Sequence, residues 1–304
     1  MSTLVLDTTT DPILERRRQV RAAAAASLGR RKVTSRIALG LCWVALGIAV
    51  VPLVAVIVYV VVKGLPAWST DFFIHSTVPE GIPGGGIWNA IVGTLVIGAI
   101  AIAATIPFGL ACGLFLAESQ GRIGAAVRFM ADVMTGMPSI TIGIFGFIAI
   151  VSTTKHYSGL AGAFAIGIIM LPVITRAAET AIRGVPTTVS EAGMALGARR
   201  ASVARRAVLP AALPGILTGV LLALARGLGE TAPLLFTIFG SQYLEWNPTQ
   251  PMNAIPFVIY ENSSQPYPDL IQLAWGAALL LVVVVLVLNI GSRVLAAWLR
   301  RERA

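Results

Sequence analysis

The sequence predicts an all-α, polytopic membrane protein with six transmembrane helices, and three observations carry that prediction. Hydrophobic residues make up 56% of the 304 residues and charged residues only 12%, with a mean hydropathy of +0.82. So few charges cannot solvate a globular surface, so lipid is the solvent for most of the chain. Six apolar runs, 37–62, 88–116, 129–151, 159–174, 213–238 and 273–299, reach the length needed to cross a bilayer, about 20 helical residues each. The third observation is the distribution of Lys and Arg. Apart from Lys63, Lys155 and Arg226, all of them fall on one side of a six-span arrangement, which makes that side, and both termini, cytoplasmic.

The elements follow in chain order. Residues 1–35 combine Asp, Thr, Arg and an Ala run without a sustained apolar stripe, which predicts a basic cytoplasmic arm, partly helical on the membrane surface, ahead of a permease-like membrane domain at 36–304. The first span starts late and has no small-residue cleavage site, so it is expected to be a retained anchor. Residues 64–87, with Pro66, Pro79, Pro83 and Gly84-Gly85-Gly86, and residues 241–271, with Pro248, Pro251, Pro256, Pro266 and Pro268, are expected to be irregular outer loops. The fourth span is the shortest, because polar residues follow Ile174 closely. No repeat suggests a twelve-span carrier, so a partner subunit is expected to complete any pathway.

Several function classes fall away. The net charge of +9 is explained by topology, with anionic inner-leaflet lipid as the nearest partner, so nucleic acid is not an expected ligand. Cys42 and Cys112 sit inside predicted spans as small packing residues. His75 and His156 lie in separate outer loops, which argues against a His-based metal site or proton relay. Lys32, Lys63 and Lys155 follow Arg31, Val62 and Thr154, so the Gly-Lys-Ser/Thr of a nucleotide-binding loop is missing, and no catalytic residue, metal or cofactor is expected on this chain.

The strongest internal signal is Arg226 with Glu230 in the middle of the fifth span. Their spacing of four places both on one face of a helix. A charge near the bilayer centre costs about 2.5–3.5 kcal/mol on insertion scales, so both are expected to face a bundle interior or an aqueous cavity. Thr218 and Thr237 extend that face, Thr231 adjoins it, and Gly227, Gly229 and Pro233 allow a bend or a close backbone approach. The functional reading is an anion pathway in which Arg226 offers guanidinium donors to a tetrahedral oxyanion. Glu230 would then accept from a protonated oxygen, which hydrogen phosphate has and sulfate lacks. The alternative is an ion pair that satisfies only itself. In the third span, Gly136, Pro138, Gly143 and Gly146 can break the helix beside Ser139 and Thr141, which either line the route or bond back to their own helix.

A polar segment, with a coupling loop at about 180–208, separates the fourth and fifth spans. Glu191-Ala192-Gly193, then Gly197, then Arg199-Arg200 and Leu209-Pro210 predict a carboxylate-bearing turn, a break and a basic turn, a compact knob suited to a partner's groove. This pattern resembles the "EAA" loop of ABC importer permeases, which docks on a separate ATPase subunit. Three further stretches, Gly85 to Thr94, Gly136 to Gly146, and Leu209 to Phe236 with Arg226, Gly229, Glu230, Thr231, Ala232 and Pro233, resemble the PstA-type permeases of phosphate ABC importers. So does Leu171 to Pro186 with Thr175, Arg176 and Glu179. The likeness covers most of residues 85–240.

The resemblance implies a MetI-like type I importer permease fold in the bacterial plasma (inner) membrane. It further implies a heterodimer with a PstC-type permease, a PstB-type ATPase dimer that holds ATP and Mg, and an external PstS-type phosphate-binding protein. Arg226 and Glu230 would belong to the translocation pathway and Glu191 to Gly197 would contact the ATPase. One departure is that Gly193 stands where the family often has Ala, at a cost of about 1 kcal/mol in helix propensity. The competing expectations are a permease for another oxyanion, sulfate or molybdate, and a non-transporting membrane assembly or sensory subunit.

Overall fold

The computed structural model describes the backbone of residues 12–301 except 80, 81 and 83, and the side chains of that range other than 12–14, 18–30 and 299–301. It divides at Tyr59 into two compact units. The first is formed by α1 (Pro12–Gly64) as far as Tyr59. Its apolar stretch has a mean hydropathy of 2.9 and is 6% buried, as expected of a helix whose solvent is lipid. The sequence ends the basic arm near 35, yet α1 runs through that position unbroken. The part of the arm at 1–11 lies outside the described residues.

The second unit, from Val60 onward, contains α2 (Thr70–Ile74), α3 (Trp88–Glu118), α4 (Arg122–Gly136), α5 (Ser139–Gly146), α6 (Ser152–Thr154), α7 (Gly159–Arg183), α8 (Thr187–Ala195), α9 (Arg200–Val203), α10 (Leu209–Leu228), α11 (Ala232–Leu235), α12 (Ile255–Ser263) and α13 (Pro268–Arg301). A π-helical turn, Phe147–Val151, follows α5, and another, Ala204–Val208, follows α9. Helices dominate because a backbone in hydrocarbon must satisfy its polar groups within its own segment. The core lies where α3, α7 and α10 meet, around Ile97, Ile166, Met170, Ile174, Ala178 and Ala223.

Five described helices are long and apolar enough to cross a membrane, and a sixth span is formed only if a bent pair is counted as one. That pair corrects the third expected span. Residues 122–136 and 139–154 meet at 101°, because Pro138 has no N–H to donate and pushes Met137 out of the helical region to φ −69°, ψ 135°. The fifth expected span, 213–238, is also corrected. Its helix begins earlier and stops at Leu228; the chain turns at Gly229 and Glu230 before the short α11. The fourth runs beyond Ile174 to Arg183, since its charges find partners.

The segments expected as outer loops are more ordered than their proline content predicts. Asn89 donates to Thr77 Oγ1 at 2.8 Å and to the Ser241 carbonyl at 2.6 Å, and the Ile255 N–H that opens α12 donates to Thr94 Oγ1 at 2.8 Å. The N–H groups of Gly159 and Leu160 donate to the carbonyls of Gln250 and Pro248. Proline removes ladder donors, but here neighbouring backbone and side chains supply fixed partners instead. Ile255, Pro256, Phe257 and Val258 are buried accordingly.

Close packing of α5 on α11 rests on Gly143. A Cβ there would lie 2.8 Å from Pro233 Cα and 3.1 Å from the Ala232 carbonyl oxygen, so backbone would have to move. Gly143→Ala should therefore destabilise the protein by about 1–3 kcal/mol, the usual cost of overpacking. Gly136→Ala, where a Cβ meets nothing within 4 Å, should leave melting in detergent unchanged; equal melting temperatures for the two variants would contradict this packing.

Candidate functional site

The two helix breaks meet at one place. A cavity of about 70 Å³ is lined by Met134, Thr135, Met137, Ser139 and Ile142 from the α4–α5 break, by Ile169 and Val173 from α7, and by Arg226 and Glu230 from the end of α10. Irregular backbone at membrane depth is tolerated where it lines a cavity or is buried in protein. Both breaks meet that condition by sharing this site.

Arg226 Nε lies 3.6 Å from Glu230 Oε1, with the two side chains 49% and 21% exposed. The i,i+4 proximity predicted for a continuous helix survives because the turn stays tight: the Gly229 N–H donates to the Arg226 carbonyl and the Glu230 N–H to that of Gly227. At 3.6 Å this is an ion pair without a short hydrogen bond. Among the described residues it is the only partner of the Arg226 guanidinium. The remaining N–H donors, planar and permanently charged, are available to a ligand.

The other expected pathway residues separate into two groups. Ser139 lines the cavity. Thr218 donates to the Pro214 carbonyl of its own helix, α10, at 2.8 Å, and Thr237, in the turn that follows α11, donates to the Pro233 carbonyl at 2.9 Å. Neither Thr218 nor Thr231, which precedes α11, is in the cavity wall, and Thr141 is exposed. Met134, Thr135, Met137, Ile169 and Val173 were not identifiable as wall residues, because they become neighbours only through the 101° bend.

The polar segment between α7 and α10 forms a helix, a turn and a second helix. Glu191 and Ala192 are exposed on α8, and Arg199 and Arg200 open α9. Gly197 closes α8 at φ +79°, with the Ala198 N–H donating to the Gly193 carbonyl and the Gly197 N–H to that of Met194, a left-handed cap that suits glycine. Gly193 itself faces inward. A Cβ there would fall 2.8 Å from Val203 Cγ2, which gives a steric reason for glycine against the neighbouring α9. Arg200 pairs with Glu118 of α3 at 3.7 Å, both largely exposed. Leu196, 88% exposed, crowns the turn.

A second charged cluster was hidden in the sequence. The Glu179 side chain is 5% exposed and pairs with Arg128 at 2.7 Å, Arg176 at 2.9 Å and Arg183 at 3.2 Å. The positive-inside pattern accounts for these arginines individually. The signal for the cluster was the one-sided spacing of Arg176, Glu179 and Arg183.

These features define a class before any relative is considered: a helical membrane protein with two broken spans around a charged cavity and a polar knob between spans. An inward-facing MetNI methionine ABC transporter structure shares the fold with a TM-score of 0.53 at 18% identity, over 70% of this chain and 93% of that one, so the fold is that of a MetI-type ABC importer permease. Residues 106–303 match the binding-protein-dependent transport system inner membrane component family, and the chain belongs to that family. The phosphate transport system permease protein PstA of Haemophilus influenzae is 40% identical over 86% of this chain and 94% of its own length. The probable phosphate transport system permease protein PstA of Methanocaldococcus jannaschii is 36% identical over 81% and 88% respectively.

Because Gly193 and Val203 share one space, Gly193→Ala should loosen the α8–α9 pair by about 1–3 kcal/mol and speed tryptic cleavage at Arg199 or Arg200. Adding Val203→Ala should slow cleavage again; additive acceleration would show that the two positions are not coupled.

Proposed function

We propose that this chain is the transmembrane permease subunit of an ATP-driven inorganic phosphate importer. The observation that carries the proposal is the partly exposed Arg226–Glu230 pair at the junction of two broken spans, in a chain 40% identical to a relative named as a phosphate transport permease. Arg226 acts as the anion receptor. Its free N–H groups donate to phosphate oxygens in charge-assisted bonds, which contribute about 1.5–3 kcal/mol each. Glu230 accepts from the proton that hydrogen phosphate carries. Toward sulfate the same carboxylate meets only lone pairs and repels it, so Glu230 serves selection while Arg226 serves binding. Ser139 contributes a hydroxyl to the same wall.

The pathway needs a second wall, and a PstC-type permease supplies it as heterodimer partner. ATP and Mg are held by a PstB-type ATPase dimer, leaving this subunit with transport but no catalysis of its own. The ATPase receives the α8–α9 knob, with Glu191, Ala192 and the Arg199-Arg200 turn on its surface and Gly193 and Gly197 setting its shape. A PstS-type protein delivers phosphate from outside. The one-sided distribution of Lys and Arg supports a plasma-membrane orientation with both termini and the knob cytoplasmic.

Cells carrying Arg226→Gln at wild-type abundance should lose more than about tenfold of labelled phosphate uptake, the loss of one charge-assisted bond. Glu230→Gln should reduce phosphate uptake and narrow the preference for phosphate over sulfate. Unchanged uptake and selectivity in both variants would reduce the pair to a structural ion bridge.

A further inference from the structure

The Glu179 cluster lies outside the wall of the Arg226 cavity, yet it is the most completely paired group of charges in the described chain. Its carboxylate receives Arg128 Nε at 2.7 Å and Arg176 Nη1 at 2.9 Å, with Arg183 Nη2 at 3.2 Å. Each arginine is tied elsewhere as well. Arg128 also donates to the carbonyls of Leu116 and Ser119 at the end of α3, and Arg183 donates to that of Leu116. Arg176 donates to Asp132 and to the Arg128 carbonyl on α4. One buried carboxylate thus knots three helices together.

The position of the knot gives it a role. On α7, Ile169 and Val173 line the Arg226 cavity; Arg176, Glu179 and Arg183 follow toward the helix end, and Pro186 then opens α8. On α4, Arg128 and Asp132 stand just before Met134 and Thr135, which wall the same cavity. Within this chain α4 buries only Gly124 and Ala131, while Ile123, Phe129, Met130 and Val133 are exposed. Apolar packing therefore does little to hold α4 against its neighbours, and the polar knot supplies the attachment.

We propose that Glu179 is a positioning residue that clamps α4 to α7, so that displacement of the α8–α9 knob moves the broken-helix wall of the Arg226 cavity. This rests on the importer function proposed above. With the clamp intact, α4, α7 and the start of α8 travel as one body. Without it, the three arginines repel one another and α4 is released from the helix that leads into the knob.

The test uses the assembled importer, this chain with its partner permease, ATPase and binding protein, in proteoliposomes, measuring labelled phosphate uptake and ATP hydrolysis together. Glu179→Gln should still co-purify with the ATPase and hydrolyse ATP, while the ATP consumed per phosphate rises by about tenfold, within the range seen for residues that carry coupling. Asp132→Asn, at a side chain 63% exposed and so tolerant of change, removes only the Arg176–Asp132 ion pair, leaves the Arg176 bond to the Arg128 carbonyl, and should raise the ratio in the same direction by less. A general folding defect in Glu179→Gln would show as lost co-purification with the ATPase, and the Asp132→Asn ratio then decides. Uptake and hydrolysis that fall in parallel, or an unchanged ratio in both variants, would overturn the clamp. Wild-type vesicles that hydrolyse ATP without taking up phosphate would instead overturn the functional reading beneath it.

Discussion

Every charged or unpaired polar group within the spans must be answered inside a medium that offers no water, and that constraint arranges the rest of the structure. Two spans are broken, one at Met137-Pro138 and one at Gly229-Glu230. Each break frees backbone donors and acceptors that lipid cannot satisfy. Their meeting around one cavity gives both a polar environment and places Arg226 and Glu230 there. Within α10 the Thr218 hydroxyl bonds back to the Pro214 carbonyl of its own helix, and in the turn after α11 the Thr237 hydroxyl is answered by the Pro233 carbonyl.

The two charged sites solve the same problem in opposite ways. Glu179 has three guanidinium partners and is nearly fully covered, which suits a fixed joint. Arg226 and Glu230 stand 3.6 Å apart and partly exposed, a weak pairing in which each keeps capacity for a third group. Binding requires that spare capacity, whereas holding two helices in register requires its absence. Distance and burial together assign the two sites to different tasks.

Much of this was legible in the sequence. The apolar runs located five of the six spans, because hydropathy is set by composition over about 20 residues and needs no tertiary information. Arg226 and Glu230 stood out because a charge in such a run is costly, and Gly197 because a glycine between two polar helical turns supplies the left-handed residue that ends the first of them. The course of the third span was not legible: Pro138 announced a break, but a 101° bend depends on what the two halves pack against. The order of residues 241–271 was hidden as well, since contacts such as Thr94 with Ile255 join positions far apart in the chain. Glu179 was visible only as part of the Leu171 to Pro186 likeness; its cluster was hidden for the same reason, as its partner Arg128 lies on another helix.

The central claim is that the Arg226 cavity is a water-filled anion site rather than a packing defect. Ser139, in its wall, is the place to ask. In the assembled importer, with Cys42 and Cys112 replaced by serine, Ser139→Cys would be exposed to a membrane-impermeant, charged thiol reagent with and without phosphate. The account predicts labelling that phosphate, and not sulfate, slows. A cysteine that stays unlabelled in every nucleotide state, or whose labelling is indifferent to phosphate, would contradict it.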